Sequence, residues 1–376
     1  MGKPTANLRH RRSLLILKMS TKSLFTPETE AIVASYGFRA ATCTLEKLGN
    51  GNINQTFLLT DGQKGRFVLQ KINTSVFKNP HAIVDNWLLV RKHLASKAPH
   101  YRMLENLPTV NGRWLSMEAD GSCWRLIAYI ENSYCIQAAS SSHLAAKTAA
   151  AFAQFTEMLQ DIDPSAFKEI LPSFHDLGLR QQQFDIALQN ASSEKIALAR
   201  ETLEELQNCR WITARFLSII HLLPQRVVHT DAKISNVLFD VQTHDVACII
   251  DLDTLMMGTI LSDVGDMIRS MVCAVGENEN DLSLIKVNSD IFEALVKNYT
   301  QKLNSITEIE MKFAPFSGLI LVYMQALRFL TDFLQNDIYY TIQYPLHNLD
   351  RAKNQTKLLL ELIKEPLIQG CFDERI

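Results

Sequence analysis

Residues 228–253 read VHTDAKISNVLFDVQTHDVACIIDLD, and this stretch decides the expected fold. It places His229, Asp231 and Asn236 in an H-x-D-x-x-x-x-N spacing. A further apolar run ends at Asp251. A buried strand that ends at Asp251 would deliver its carboxylate beside the side chains of the loop.

This order of polar groups is typical of phosphoryl transfer, which needs a base, a polyphosphate and a metal ion held in line. We predict Asp231 as the catalytic base. Asn236 and Asp251 are the predicted ligands of Mg²⁺, a hard ion that prefers oxygen ligands. His229 is expected to brace the loop. Asp253 lies on the same side of an extended backbone as Asp251, either as a substrate- or metal-facing group or as a loop-stabilising acid.

The composition is that of a globular protein, with 47% hydrophobic and 21% charged residues. The 38 basic and 40 acidic side chains nearly cancel, so nucleic acid and anionic membranes are not expected partners. Seven cysteines without a Cys-x-x-Cys pair indicate reduced thiols and a cytoplasmic location.

Two apolar segments resemble a membrane span or a targeting signal by composition. Residues 1–24 are predicted to be a flexible basic leader, because their apolar run is too short for a signal peptide. Residues 317–330 fall short of a membrane span and predict a buried helix. A soluble chain is therefore expected.

The segment 25–131 predicts a strand-rich small lobe that binds nucleotide. A hairpin and a third strand precede a helix at 80–96, which begins at a proline, and strands follow near 112–115 and 124–130.

The segment 132–376 predicts a helical catalytic and substrate-binding lobe, with a hinge at 131–133. Helices are expected at 143–161, 192–221, 288–304, 313–335 and 349–364. The fold class is α+β: a protein-kinase-like two-lobe fold with a small antiparallel sheet, one main helix in the small lobe and a mostly helical large lobe.

Nucleotide-binding residues are predicted on the first three strands. The loop with Asn50, Gly51, Asn52 and Asn54 joins two strands, where glycine lets backbone amides approach phosphate, although Asn-Gly is also an ordinary hairpin turn. On the third strand the register is open. Lys71 pairs with the phosphates, or Gln70 faces them and an arginine elsewhere supplies the charge.

With these residues in place, the chain resembles the aminoglycoside phosphotransferase and choline kinase group, most closely the bacterial N-acetylhexosamine 1-kinases. Three segments carry the similarity besides the catalytic one: GNGNINQTF (49–57), FVLQKINTSVFKNP (67–80) and, within 328–359, RFLTDFLQNDIYY with PLHNLDRAKNQTKLL.

The resemblance implies ATP- and Mg²⁺-dependent phosphorylation of the anomeric hydroxyl of a free sugar. Adenine would contact Tyr129 to Glu131, and Arg328 and Asp332 would bind substrate, although an ion pair between these two at i,i+4 is an alternative. Thr230 departs from the glycine common in the group, and we expect it to reshape the acceptor site.

Other functions remain open at this stage. A choline, homoserine or aminoglycoside kinase would need acids in the large-lobe cleft, and the acidic segment 277–293 allows one. A nucleotide-binding pseudoenzyme should lack the base or a metal ligand, and the sequence retains both. Asp263 and Asp266 are expected to cap a helix and anchor the catalytic loop.

Overall fold

The computed structural model describes residues 24–49 and 53–372. The predicted leader and the loop residues Asn50, Gly51 and Asn52 lie outside the described residues, apart from Leu24. Two lobes follow one another along the chain. The mixed α+β class, with an antiparallel sheet first and a helical part after it, is confirmed.

The small lobe is built on an antiparallel sheet with strand order β1-β2-β3-β6-β4, and β5 pairs with β6. Its elements are α1 (Pro27–Ser35), β1 (Cys43–Lys47), β2 (Gln55–Asp61), β3 (Gly65–Ile72), α2 (Pro80–Lys97), β4 (Asn106–Leu107), β5 (Ser116–Met117) and β6 (Cys123–Ala128).

The helix α2 begins at Pro80, as its sequence predicts, since proline fits the first turn of a helix. The short helix α1 was not predicted. Its start is fixed by a reciprocal pair of hydrogen bonds. The Thr26 side chain accepts the backbone N–H of Thr29, and the Thr29 side chain accepts the backbone N–H of Thr26. α1 carries Ile32 and Val33 into a core below the sheet.

The large lobe contains these elements: β7 (Ser133–Cys135), α3 (Ser142–Met158), α4 (Leu177–Asn190), α5 (Ser193–Leu198), α6 (Arg200–Asn208), α7 (Trp211–Ile219), β8 (Arg226–Val228), β9 (Val237–Asp240), β10 (Val246–Ile249), β11 (Met256–Gly258), α8 (Ile260–Met271), α9 (Ser289–Lys302), α10 (Glu308–Phe313), α11 (Ser317–Leu334), α12 (His347–Leu362) and α13 (Pro366–Gln369). Two small sheets, β10-β9-β7 and β11-β8, carry the catalytic segment.

The chain crosses between the lobes after β6. Asn132 takes a left-handed conformation with φ 55°, and β7 then pairs with β9 of the large lobe. The lobe boundary predicted at residue 131 falls in this connection.

The single helix predicted at 192–221 is wrong, because three short helices, α5 to α7, occupy that range. α5 and α7 contact α11, and α6 contacts α12. A straight, unbroken helix could not keep contact with both α11 and α12. Packing therefore overrides the continuous periodic pattern. The helix α4 was also missed, and it bears on the site.

The helix α11 lies at the centre of the large lobe. By length and composition it could cross a membrane, but 83% of it is buried inside the protein, as in a core helix. Close contact with α8 depends on two glycines. A Cβ on Gly265 would lie 2.5 Å from the Ser317 carbonyl oxygen, and one on Gly318 would lie 2.6 Å from Ile268. This contact fixes α8 beneath the catalytic loop.

Candidate active site

His229 holds the catalytic loop from inside the protein. Its side chain is fully buried, and Nε2 lies 3.0 Å from the carbonyl oxygen of Ile250. Nδ1 accepts the backbone N–H of Asp231 at 3.3 Å. One ring therefore ties the loop to the end of β10, in the bracing role expected for it.

Thr230 adopts φ 61°, a left-handed conformation that is costly for a β-branched residue. Three hydrogen bonds hold it there. Its N–H donates to Asp263 at 2.7 Å, its hydroxyl donates to the carbonyl oxygen of Thr254 at 2.7 Å, and the Thr254 hydroxyl donates to the His229 carbonyl at 2.8 Å. The Thr230 side chain is 5% exposed and therefore lies in the interior, not on the acceptor side of the loop where it was expected.

Asp263 anchors the loop as predicted, since its two oxygens accept the N–H groups of His229 and Thr230. Burial raises the pKa of its carboxyl to about 6, against the lowering effect of His229 and these bonds. The predicted helix cap is wrong, because Thr259 occupies the N-cap of α8.

Asp231 is held by Lys233 and Asn236. The Lys233 ammonium lies 2.9 Å from both carboxylate oxygens, and the Asn236 amide donates to Oδ2 at 2.8 Å. Burial would raise the pKa of Asp231, but Lys233, His229 and Asn236 outweigh it and lower the pKa. Asp231 is therefore ionised at neutral pH, as a base must be.

Asp251 follows β10 in a left-handed conformation with φ 60°. Among the described residues, its carboxylate has no hydrogen-bond or ion-pair partner. Burial, with repulsion from Asp253 and Asp231, raises its pKa to about 6. An uncompensated buried carboxylate is costly, and a divalent cation held by it and by the free amide oxygen of Asn236 would remove that cost. The two predicted ligands thus fit a hard cation.

Asp253 is not available to substrate, because it is 1% exposed and joins the lobes. Its Oδ1 lies 2.6 Å from the guanidinium of Arg125 on β6, and its Oδ2 accepts the amide of Asn54 at 2.8 Å. Of the two roles predicted for Asp253, the stabilising one matches its contacts. Asn54 reaches across the cleft rather than lying free toward phosphate.

The register of β3 answers the question left open for the phosphate-pairing cation. Gln70 pairs across strands with Arg125, whose guanidinium donates to the Gln70 side-chain oxygen at 2.8 and 2.5 Å. Lys71 faces away and binds Glu28 at 2.7 Å. The cation on the cleft side of the sheet is therefore Arg125.

Tyr129 and Glu131 lie in the connection between the lobes, where an adenine contact was predicted. Their side chains engage Arg66, which stacks 4.3 Å from the Tyr129 ring and forms an ion pair with Glu131. The side chain of Glu131 is 50% exposed in this pair.

The two residues predicted on α11 differ in role. Asp332 is 3% exposed and accepts the N–H groups of Tyr339 and Tyr340 and the amide of Asn348. It braces the loop before α12 instead of binding substrate. Arg328 forms no ion pair with it, and its guanidinium lies 5.5 to 5.9 Å from three aromatic rings: Phe174, Tyr339 and Tyr340.

Sequence reasoning missed two residues that lie outside any motif: His175, whose pKa is affected by Asp231, and Arg180, which donates to the carbonyl oxygens of Ser173 and Phe174. His175 directly precedes Asp176, the N-cap of α4, whose side chain accepts the N–H of Leu179, and Arg180 lies in the first turns of that helix. Burial, together with Arg328, Arg269 and Arg180, lowers the pKa of His175 to about 3, and Asp231 opposes this shift. An Asp followed by Leu-x-Leu-Arg is the one local signal that could have indicated α4.

The comparison with protein families assigns most of the chain. Residues 44–284 match the model described as "Phosphotransferase enzyme family". The chain belongs to this family. The phosphotransferase therefore acts on hydroxyl groups of small molecules, and the predicted kinase class is confirmed.

Solved structures share its two-lobe fold at low sequence identity. A microcompartment-associated aminopropanol kinase is 15% identical with a TM-score of 0.61, covering 88% of this chain and 94% of its own. An amicoumacin kinase in complex with AMP-PNP and Ca²⁺ is 12% identical (TM-score 0.59; 92% and 97% covered). An aminoglycoside phosphotransferase from Alicyclobacillus acidocaldarius is 15% identical (TM-score 0.60; 93% and 97% covered).

Proposed function

We propose that this phosphotransferase is a cytoplasmic kinase that transfers the γ-phosphate of ATP to the anomeric hydroxyl of a free sugar, with N-acetylhexosamines as the first candidates. The observation that carries the reaction is the ionised Asp231, held by Lys233 and Asn236 beside the unpartnered Asp251. The seven cysteines, all free, support a reducing compartment.

Asp231 would orient the acceptor hydroxyl and take up its proton during transfer. Lys233 keeps this carboxylate ionised, and Asn236 fixes its direction. Asp251 and Asn236 would hold Mg²⁺, which when bound neutralises charge on the phosphates. The amicoumacin kinase with AMP-PNP and Ca²⁺ supports nucleotide and divalent-cation use.

Arg125 is our candidate for the cation that faces the phosphates from β6. It is 6% exposed, and its planar guanidinium presents N–H donors of the kind that suit phosphate oxygens. In this structure they are directed to Gln70 and Asp253.

The charges of the large-lobe cleft favour a sugar over a choline- or aminoglycoside-type amine. Glu277, the first acid of the segment 277–293, is occupied by Arg269 and Arg351. Asp266 is likewise paired with Arg269 at 2.7 Å. A cationic acceptor would have to displace these pairs. The anomeric position rests on the similarity of segments 67–80 and 328–359 to the sugar 1-kinases.

An ADP-release assay across N-acetylhexosamines, other free sugars, choline, homoserine and aminoglycosides tests the proposal. We expect turnover with a free sugar and none with its methyl glycoside, whose anomeric oxygen is blocked. Turnover of amines alone would overturn the sugar assignment, and equal turnover of the methyl glycoside would overturn the anomeric position. Absence of turnover with bound nucleotide would favour a pseudoenzyme.

A further inference from the structure

We propose that the acceptor cleft contains an anion subsite formed by Arg180, Arg328 and His175, so that the sugar phosphorylated carries a carboxylate or phosphate group. This inference deepens the proposed function and rests on it for the identity of the acceptor as a sugar, but it ranks acidic sugars ahead of the neutral N-acetylhexosamines.

The first observation is that two arginines of the cleft lack a counter-ion. Within residues 24–49 and 53–372, no carboxylate lies within ion-pair distance of Arg180 or Arg328. Their neighbours Arg269 and Arg351 are paired with two carboxylates, those of Asp266 and Glu277. Within this group of four arginines, Arg180 and Arg328 therefore carry the positive charge that no carboxylate of the described residues pairs.

The second observation is that these two charges are close to each other and partly buried. Burial is the main cause that lowers the pKa of Arg180, and the positive charge of the nearby Arg328 is the second. Like charges removed from water destabilise a protein unless something compensates them. An anionic ligand would supply that compensation, and arginine is suited to it because its planar donors match carboxylate and phosphate.

The third observation is a set of unused or weakly used donors. The Nε of Arg180 and the Nδ1 of His175 are both buried without a hydrogen-bond partner. The terminal nitrogens of Arg180 donate to the Gln183 side chain and to the carbonyl oxygens of Ser173 and Phe174. Arg328 reaches only Gln325 and the Tyr339 hydroxyl, each at the long distance of 3.4 Å. A ligand oxygen can replace such contacts at little cost.

The position of the anion subsite relative to the base links it to the acceptor. The ring of His175 is influenced by Asp231 and also by Arg180 and Arg328. Geometry places the three groups of the anion subsite together around Phe174. The His175 ring stacks on the Phe174 ring at 4.5 Å, the Arg328 guanidinium lies 5.9 Å from that ring, and Arg180 donates to the Phe174 carbonyl oxygen at 3.4 Å. The aromatic rings around Arg328 close the far side. An acceptor with its hydroxyl at Asp231 would extend its remote end toward the anion subsite.

The experiment compares matched sugar pairs that differ by one charged group. We expect the kcat/KM for glucuronic acid to exceed that for glucose by about 10- to 100-fold, mainly through KM, and likewise for galacturonic acid over galactose. The glucose 6-phosphate and glucose pair separates phosphate from carboxylate as the preferred group. A neutral sugar turned over equally well or better would overturn the inference while leaving the proposed function intact.

Variants assign the preference to the anion subsite. Arg180→Gln and Arg328→Gln should each reduce the acid-to-neutral ratio by about 10-fold or more, whatever happens to the absolute rate. Arg200→Gln, an exposed arginine on α6, is the matched control and should keep the ratio. A ratio that survives both cleft substitutions would overturn the inference.

Direct binding separates the two proposals. If no sugar is turned over, the proposed function fails, but calorimetric titration with glucuronate still tests the anion subsite. Binding that is lost in Arg180→Gln and Arg328→Gln and kept in Arg200→Gln would support it. No binding, or binding unchanged in these variants, would overturn it.

Discussion

Thr230 illustrates how a strained backbone is held beside the proposed catalytic base. The left-handed conformation of a β-branched residue costs about 1–2 kcal/mol, and the bonds to Asp263 and Thr254 offset it. We expect Thr230→Gly to change the free energy of unfolding by less than about 1 kcal/mol, because lost strain and a lost bond oppose each other.

Thr230→Val keeps the strain, removes the hydroxyl and leaves the Thr254 carbonyl without its donor. It should destabilise the protein by about 1–3 kcal/mol. Urea unfolding measures both variants, and a valine variant as stable as the parent protein would contradict this account.

Asp231→Asn tests the base. The substitution keeps the size of the side chain but removes its ability to accept a proton, so turnover should fall by roughly 10²–10⁴. Asp245→Asn is the control, since that carboxylate is 69% exposed and pairs with Lys147 on the surface. Unchanged turnover in the Asp231 variant, measured by ADP release, would reject the assignment.

At the scale of elements, Asp332 connects α11 to the loop before α12. Both of its oxygens accept backbone N–H groups of Tyr339 and Tyr340, and one also accepts Asn348. Asp332→Asn replaces one acceptor by a donor that faces an N–H group. We expect a loss of about 1–3 kcal/mol in unfolding free energy.

Because this loop places the Tyr340 ring near Arg328, the Asp332 substitution should raise KM for the acceptor more than it lowers kcat. Steady-state kinetics with the acceptor varied measures the split. A fall in kcat alone would indicate that Asp332 acts on the chemistry rather than on the loop.

Across the whole molecule, Asp253 and Arg125 form a buried ion pair between the lobes. Arg125→Met should cost about 3–5 kcal/mol, since it leaves a buried carboxylate without its partner. The double variant with Asp253→Asn should lose less than the sum of the single losses. Thermal unfolding of the four proteins measures this coupling, and additive losses would show that the pair is not coupled.

Metal binding should depend on pH through Asp251, whose folded pKa of about 6 lies above its ordinary value of 3.8. The metal-free protein binds this proton more tightly when folded, so the contribution of Asp251 to stability falls as pH rises from about 4 to 6. A bound cation needs the ionised form.

The stabilisation by added Mg²⁺ should therefore grow from pH 5 to pH 7, as the shift of the unfolding temperature would record. Asp251→Asn should remove this pH dependence. A Mg²⁺ shift that is independent of pH in the parent protein would contradict the role given to Asp251.

The sequence determined the fold class and predicted the groups that we propose carry the chemistry, because both depend on local order. Alternating strands, the Pro80 helix start and the spacing from His229 to Asp251 act over a few residues each. The loop-anchoring role of Asp263 also followed from its motif. The family match then confirmed the phosphotransferase class.

Only the tertiary structure decided which side chains meet. The pairing of β3 with β6 places Gln70 and Arg125, and not Lys71, on the cleft side of the sheet. Contacts across the lobes favour the stabilising role of Asp253 over the substrate-binding role. The packing of α4 against α11 brings Arg180 and His175 near Arg328. Such contacts join residues far apart in sequence, and their energies depend on burial and register, which no local pattern contains.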